Sequence, residues 1–151
     1  MGGVGFQLQY ESSNISQMTM RMGECGGSFI TQNGIFTSPS FPSSYPNNAD
    51  CTYTISQPIG TIIMLKILSM DIDYADPDIY DYDRFYDHPD YNDEYHFYGG
   101  LICWDDYLEI RDGASEKSPL IDGYCGGGAK HSLPILIQTT QENAWIRCTN
   151  L

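Results

Sequence analysis

Apolar and polar residues alternate over several short stretches of the chain, the pattern of β-strands that bury one face. At the amino end, every second residue is apolar: Val4, Phe6, Leu8 and Tyr10. Residues 61–68 are nearly continuous in apolar side chains, which predicts a central strand buried on both faces. Almost no stretch shows the 3.6-residue period of an amphipathic helix, so we expect an all-β protein.

Further strands are predicted at residues 52–56, 104–111, 133–139 and 144–148. Between them lie dipeptides such as Asn33-Gly34, which mark turns. Many short strands separated by turns are typical of a β-sandwich or barrel.

Two intervals break this pattern. Residues 11–24 are polar with scattered methionines and are interpreted as a linker. Residues 74–102 interleave aspartates with tyrosines without any period, which predicts a long surface loop. This acidic loop could extend a binding surface for a basic partner, or it could be a tolerated, mobile insertion.

The length and charge of the chain limit the class of protein. Its 151 residues fit one domain. With 20 acidic and 7 basic residues, the net charge is -13. Such a surface repels nucleic acid and anionic lipid and suits metal ions or basic protein ligands. The alternative is that the excess charge only keeps the protein soluble.

The cysteines indicate an oxidising compartment. Five are present, widely spaced and without a C-x-x-C pair, which favours structural disulfides over a zinc or redox motif. Asn14-Ile15-Ser16 is a glycosylation sequon. The opening residues lack the pattern of a signal peptide, and no 18-residue apolar run occurs. We therefore expect a segment of a longer extracellular or cell-surface protein.

The middle of the chain carries a series of motifs: Cys25-Gly26-Gly27, residues 34–46, Asp50-Cys51, residues 103–113 and Tyr124-Cys125-Gly126. In these motifs it resembles the CUB domain family. The motifs have the order and spacing of that family over residues 25–150. Within the family, the sequence is similar to cubilin-like endocytic receptors, which contain tandem CUB domains.

The resemblance implies a jelly-roll-like sandwich of two antiparallel sheets, with disulfides Cys25–Cys51 and Cys103–Cys125. It also implies that residues 1–10 are the last strand of a preceding CUB domain, and that residues 25–151 form a domain without its own final strand. Residues 4–10 could instead fold back into that vacant position. Cys148 is left over, either as a buried thiol or paired with another chain.

Many members of the family bind one Ca²⁺ at one end of the sandwich, and the resemblance carries two of the ligands over to Asp73 and Asp106. A third carboxylate would fall at about Leu151 and is not found. Asp71 and Asp105 flank these positions and would deepen the negative potential, or they are simply solvated charges. Asp112 precedes Gly113 and is expected to cap a turn rather than to bind metal.

The implied function is calcium-dependent binding of lysine or arginine side chains of protein ligands by Asp71, Asp105 and Tyr107, in a tandem-CUB endocytic receptor with neighbouring CUB domains. The alternative is an interaction or exosite module of a secreted multidomain protease or matrix protein. Catalysis is not expected, because the three histidines, His88, His96 and His131, have no nucleophile motif beside them.

Overall fold

The structure is a computed structural model, and it describes residues 5–11, 18–72, 96–98, 101–103, 106–127 and 132–150. These residues form strands and no helix. The strands are β1 (Gly5–Glu11), β2 (Met18–Gly23), β3 (Gly27–Phe29), β4 (Asn33–Pro39), β5 (Ala49–Ser56), β6 (Met64–Ile72), β7 (His96–Tyr98), β8 (Leu101–Cys103), β9 (Asp106–Arg111), β10 (Leu120–Tyr124), β11 (Gly126–Gly127), β12 (Ile135–Gln138) and β13 (Asn143–Asn150).

The strands form two main sheets. In the first sheet the order is β11-β6-β1-β4-β2, and β12 also pairs with β6. In the second sheet the order is β10-β9-β13-β5-β3. The pairs β2–β4 and β3–β5 are parallel, and every other described pairing is antiparallel. The predicted all-β sandwich of two mainly antiparallel sheets is confirmed.

The core between the sheets is rich in aromatic rings. Phe36 stacks on Phe29 with ring centroids 4.8 Å apart and on Tyr53 at 4.6 Å. Phe6 meets Phe36 and Tyr53 edge-on, at 6.1 and 5.7 Å. Offset and edge-to-face contacts of this kind add to the free energy gained by burying the rings, so this cluster joins β1 and β4 of the first sheet to β3 and β5 of the second.

The amino-terminal strand lies inside the first sheet. As the alternation predicts, Phe6, Leu8 and Tyr10 are fully buried. Strand β1 pairs with β4 on one side and with β6 on the other. The hypothesis that this segment folds back required Phe6 to lie in the core, and it does. That the segment belongs in sequence to a preceding domain stays a prediction.

Other details differ from the sequence analysis. Strand β2 lies within residues 11–24, the interval interpreted as a linker. The hairpin β7–β8 lies at the end of the predicted loop 74–102 and reaches Cys103, and most of that interval is outside the described residues. Strand β6 is central in its sheet but buries mainly one face, because Met64 is exposed and Lys66 and Leu68 are partly exposed.

The disulfide Cys25–Cys51 is present and ties the segment before β3 to β5. Cys125 is also disulfide-bonded, and the side chain of Cys103, its predicted partner, is outside the described residues. Cys148 is a buried free thiol. It lies with Ala144 and Ile146 on the core face of β13, as the alternation predicts.

Candidate functional site

One end of the sandwich holds two of the acidic positions that the sequence singles out, Asp71 and Asp106. In the second sheet, β9 begins at Asp106, which lies opposite Asn150 near the end of β13. In the first sheet, β1 begins at Gly5, which lies opposite Asp71 near the end of β6. We call this region the Asp106 end.

Tyr45 positions the carboxylate of Asp106. The tyrosine lies in the turn-rich segment between β4 and β5, and only 3% of its surface is exposed. Its hydroxyl donates a hydrogen bond to Oδ2 of Asp106 over 3.0 Å. Because the ring is buried, the hydroxyl holds the carboxylate in one place. The sequence analysis missed this role, and the Tyr45-Pro46 turn was its only local signal.

The same tyrosine connects the two sheets at this end. A Cβ atom built on Gly5 would lie 3.4 Å from Cδ1 of Tyr45, so β1 begins beside the ring. Asp71 lies opposite Gly5 in the neighbouring strand and is exposed. Asp71 and Asp106 therefore lie at the same end of the sandwich, one from each sheet.

A salt bridge borders the site on the second sheet. Arg147 donates from Nε and Nη2 to the two oxygens of Asp50, over 2.8 and 2.9 Å. These hydrogen bonds are the main reason why the pKa of Asp50 is lowered and that of Arg147 is raised. Arg147 also donates to the hydroxyl of Tyr107 over 3.4 Å. The arginine thus serves as an internal partner for Asp50.

The predicted ligand-binding side chains differ in accessibility. Asp71 is exposed, but Tyr107 is 5% exposed and contacts Arg147. The ring of Tyr107 therefore offers little surface to a ligand, and its predicted direct contact with a ligand stays a prediction. Asp73, Asp105 and the sequon residue Asn14 lie outside the described residues.

The carboxylate of Asp106 has the chemistry that calcium prefers, since Ca²⁺ takes oxygen ligands and usually several carboxylates. Within the described part of the chain, no group of three or more metal-binding side chains occurs. Asp106 is the member of the predicted pair that the structure describes, and the calcium site itself stays a prediction.

Asp112 lies at the opposite end and has a structural role. Its carboxylate accepts hydrogen bonds from the backbone N–H of Thr140 over 3.0 Å and from the Thr140 hydroxyl over 2.6 Å. Its carbonyl accepts a further one from Gln141. It ties the turn after β9 to the turn before β13, in line with the predicted turn role.

Comparisons with known proteins identify the family to which the chain is similar. The CUB domain profile matches residues 25–100 and 93–150. Human neuropilin-1 is 34% identical over 124 residues, which are 82% of this chain and 11% of that protein. Human tolloid-like protein 1 is 28% identical over 145 residues, 95% of this chain and 12% of that protein. The chain thus spans about a ninth of the length of these relatives.

Among solved structures, the full extracellular region of zebrafish Gpr126/Adgrg6 has a similar fold. The match has a TM-score of 0.54 and 21% sequence identity, and it covers 84% of this chain and 13% of that one. The described residues include no helix long and apolar enough to cross a membrane.

Proposed function

The chain belongs to the CUB domain family, and from this premise we propose that it is a non-catalytic binding module of an extracellular or cell-surface protein. In this proposal, the Asp106 end binds basic side chains of protein ligands in a calcium-dependent way. The disulfide Cys25–Cys51 supports the location, because such bonds persist in oxidising compartments.

The observation that carries the proposal is the hydrogen bond from Tyr45 to Asp106. It holds one carboxylate at the end of the sandwich where β6 presents the exposed Asp71. A carboxylate held in place by a buried donor is suited to binding a cation, because little conformational entropy remains to be lost on binding.

We propose Asp73 and Asp106 as calcium ligands. Bound calcium would neutralise and order carboxylates that otherwise repel one another. Asp71 and Asp105 would then add negative potential that attracts a lysine or arginine of the ligand, and a charge-assisted hydrogen bond is stronger than a neutral one. Tyr107 would act indirectly, by keeping Arg147 directed toward Asp50.

The parent protein decides between two versions of this function. One is a tandem-CUB endocytic receptor, in which several weak contacts add up through multivalency. The other is an interaction or exosite module of a secreted multidomain protease or matrix protein. The similarity to both neuropilin-1 and tolloid-like protein 1 supports a multidomain parent in either case.

The test is a calorimetric titration of the chain with calcium chloride. We expect binding by the wild type and a loss of at least about tenfold in affinity for Asp106→Asn, which keeps the shape of the side chain but removes its charge. Glu116→Gln is the matched control, because Glu116 is exposed in the turn at the opposite end. Equal affinities for wild type and Asp106→Asn would refute the proposed site.

A further inference from the structure

Strand β1 occupies a position that is bounded on both sides by the rest of the domain. It lies between β4 and β6 and forms antiparallel pairs with each. We call the space between β4 and β6 the acceptor slot. The far edge of β4 is paired with β2, and β6 also pairs with β11 and β12. The two strands that border the slot, β4 and β6, therefore each pair with a strand other than β1.

No covalent bond other than the backbone joins β1 to the slot. Residues 5–11 contain no cysteine, whereas the disulfide Cys25–Cys51 lies within the remainder of the domain. The strand is connected to β2 through residues 12–17, which are outside the described residues. The contacts that retain it are hydrogen bonds and side-chain packing, which any segment of the same sequence can make.

The beginning of the slot recognises glycine followed by an aromatic residue. Gly5 has a φ of +89°, and a Cβ atom there would overlap the hydroxyl of Ser38. That hydroxyl accepts a hydrogen bond from the backbone N–H of Phe6 over 3.0 Å and donates to its carbonyl over 3.5 Å. The Phe6 ring then packs edge-on against Phe36 and Tyr53.

The other end of the slot recognises tyrosine. A Cβ atom on Gly34 would overlap the ring of Tyr10, so the glycine makes room for that ring. The Tyr10 hydroxyl is 3.0 Å from the hydroxyl of Thr31, and its ring packs edge-on against Phe29 at 5.9 Å. Gln7 and Gln9 are partly exposed, so their positions tolerate other side chains.

We propose that the acceptor slot is a peptide-binding site that reads the sequence of an extended strand, with the pattern Gly-aromatic-polar-Leu-polar-Tyr. Here the site is filled by residues 5–11 of the same chain. The same segment supplied in trans, as a peptide or by a second copy of the chain, takes its place with the same contacts, as in strand exchange between identical units.

The test uses the full chain with a protease recognition sequence placed in residues 12–17. The protein is folded first and then cleaved, so that the slot forms around its own strand. A fluorescent peptide of residues 4–11 is added in excess, and its uptake is followed by fluorescence anisotropy. We expect saturable uptake by the cleaved protein, with displacement of the original strand seen by mass spectrometry.

Peptide variants test the recognition. Gly5→Ala should weaken uptake by more than about tenfold, since its Cβ atom meets Ser38, and Gln9→Ala should bind within about threefold of the parent peptide. No uptake, loss of folded structure on cleavage, or equal binding of the Gly5→Ala peptide would each overturn the proposal.

A second arm distinguishes the sources of the strand. Two batches of uncleaved chain, labelled with donor and acceptor dyes, are mixed at high concentration. Energy transfer together with a dimer mass in light scattering assigns the exchange to second copies. A monomer mass without transfer, alongside uptake by the cleaved chain, assigns the native occupant to the same chain.

Discussion

Asp106 owes its position to one hydroxyl group that is distant in sequence. The buried Tyr45, 61 residues away in the sequence, donates a hydrogen bond to it. No local sequence pattern could therefore have predicted the contact. The position of Asp106 itself could be predicted, because the motif that begins at Cys103 is local. The charge was therefore predictable from the sequence, and the group that orients it was not.

Removing that hydroxyl should cost stability without disturbing the packing. Tyr45→Phe keeps the buried ring and leaves Oδ2 of Asp106 without this donor. We expect a loss of about 1–3 kcal/mol in the free energy of unfolding, measured by urea denaturation, since the acceptor is charged. In an Asp106→Asn background the same change should cost less. Equal costs in both backgrounds would contradict a coupling between the two side chains.

Cys148 should make the protein sensitive to high pH. Burial raises the pKa of this thiol to about 12, and the nearby Asp106 and Asp50 add to the effect. In the unfolded chain the thiol ionises near its ordinary pKa, whereas the folded state holds it protonated. Its contribution to stability is therefore complete below about pH 9 and falls by up to about 1.4 kcal/mol per pH unit between about pH 9 and 12.

Denaturation curves at pH 8 and pH 10.5 check this, with Cys148→Ala as the comparison. Burial also raises the pKa of Tyr53 and Tyr124, and in the unfolded chain these tyrosines ionise in this range, so they add the same pH dependence to both proteins. The quantity of interest is therefore the difference in slope between the two proteins. The wild type should lose more stability on going to the higher pH. Equal losses of stability in the wild type and in Cys148→Ala would show that the thiol ionises at its ordinary pKa in the folded state.

At the level of strands, the alternation of apolar and polar residues was sufficient to predict a strand where one of its faces meets the core. It predicted β1 and β13, and the apolar residues of β1 and the core-facing residues of β13 are buried. It was not sufficient for β2, where methionines alternate with other residues but Met20 and Met22 are exposed, because among the described strands β2 lies at the edge of its sheet and pairs with β4. It also failed for Glu109, which is buried beside Arg111 as an ion pair.

Strand β1 should depend on glycine at its first position. Gly5→Ala adds a Cβ atom that overlaps Ser38 and also strains a backbone with φ of +89°. Gly60→Ala is the matched control, because Gly60 has φ of +90° and nothing within 4 Å of such a Cβ atom. We expect Gly60→Ala to cost about 1–2 kcal/mol of stability and Gly5→Ala about 1–3 kcal/mol more. Equal losses of stability for the two variants in urea denaturation would mean that the Ser38 side chain moves aside at no cost in free energy.

Across the whole molecule, the two sheets are joined by the aromatic core, while the disulfide Cys25–Cys51 closes a loop with a sequence separation of 26. The resemblance to the family predicted that pairing, which residue spacing alone could not. Converting both cysteines to alanine should lower the free energy of unfolding by about 3 kcal/mol, through a larger entropy of the unfolded chain. A change below about 1 kcal/mol in chemical denaturation would show that the bond does not constrain the unfolded state.

The two ends of the sandwich have different roles in this account. The end around Asp112 is closed by internal hydrogen bonds to Thr140 and Gln141. The Asp106 end combines acidic residues of both sheets. The sequence placed Asp106 in a predicted strand and Asp71 beyond the end of another, at residue 68. Their convergence depends on the pairing of β1 with β6 and on the position of Tyr45, which the fold supplies.

A calcium titration followed by ¹H–¹⁵N correlation spectra tests the central claim most directly, because it locates the cation within the molecule. The account predicts saturable shifts of the backbone amides of Tyr45, Asp71 and Asp106, with Asp112 and Glu116 at the opposite end unchanged. Shifts centred on the Asp112 turn, or spectra that do not respond to calcium, would contradict it.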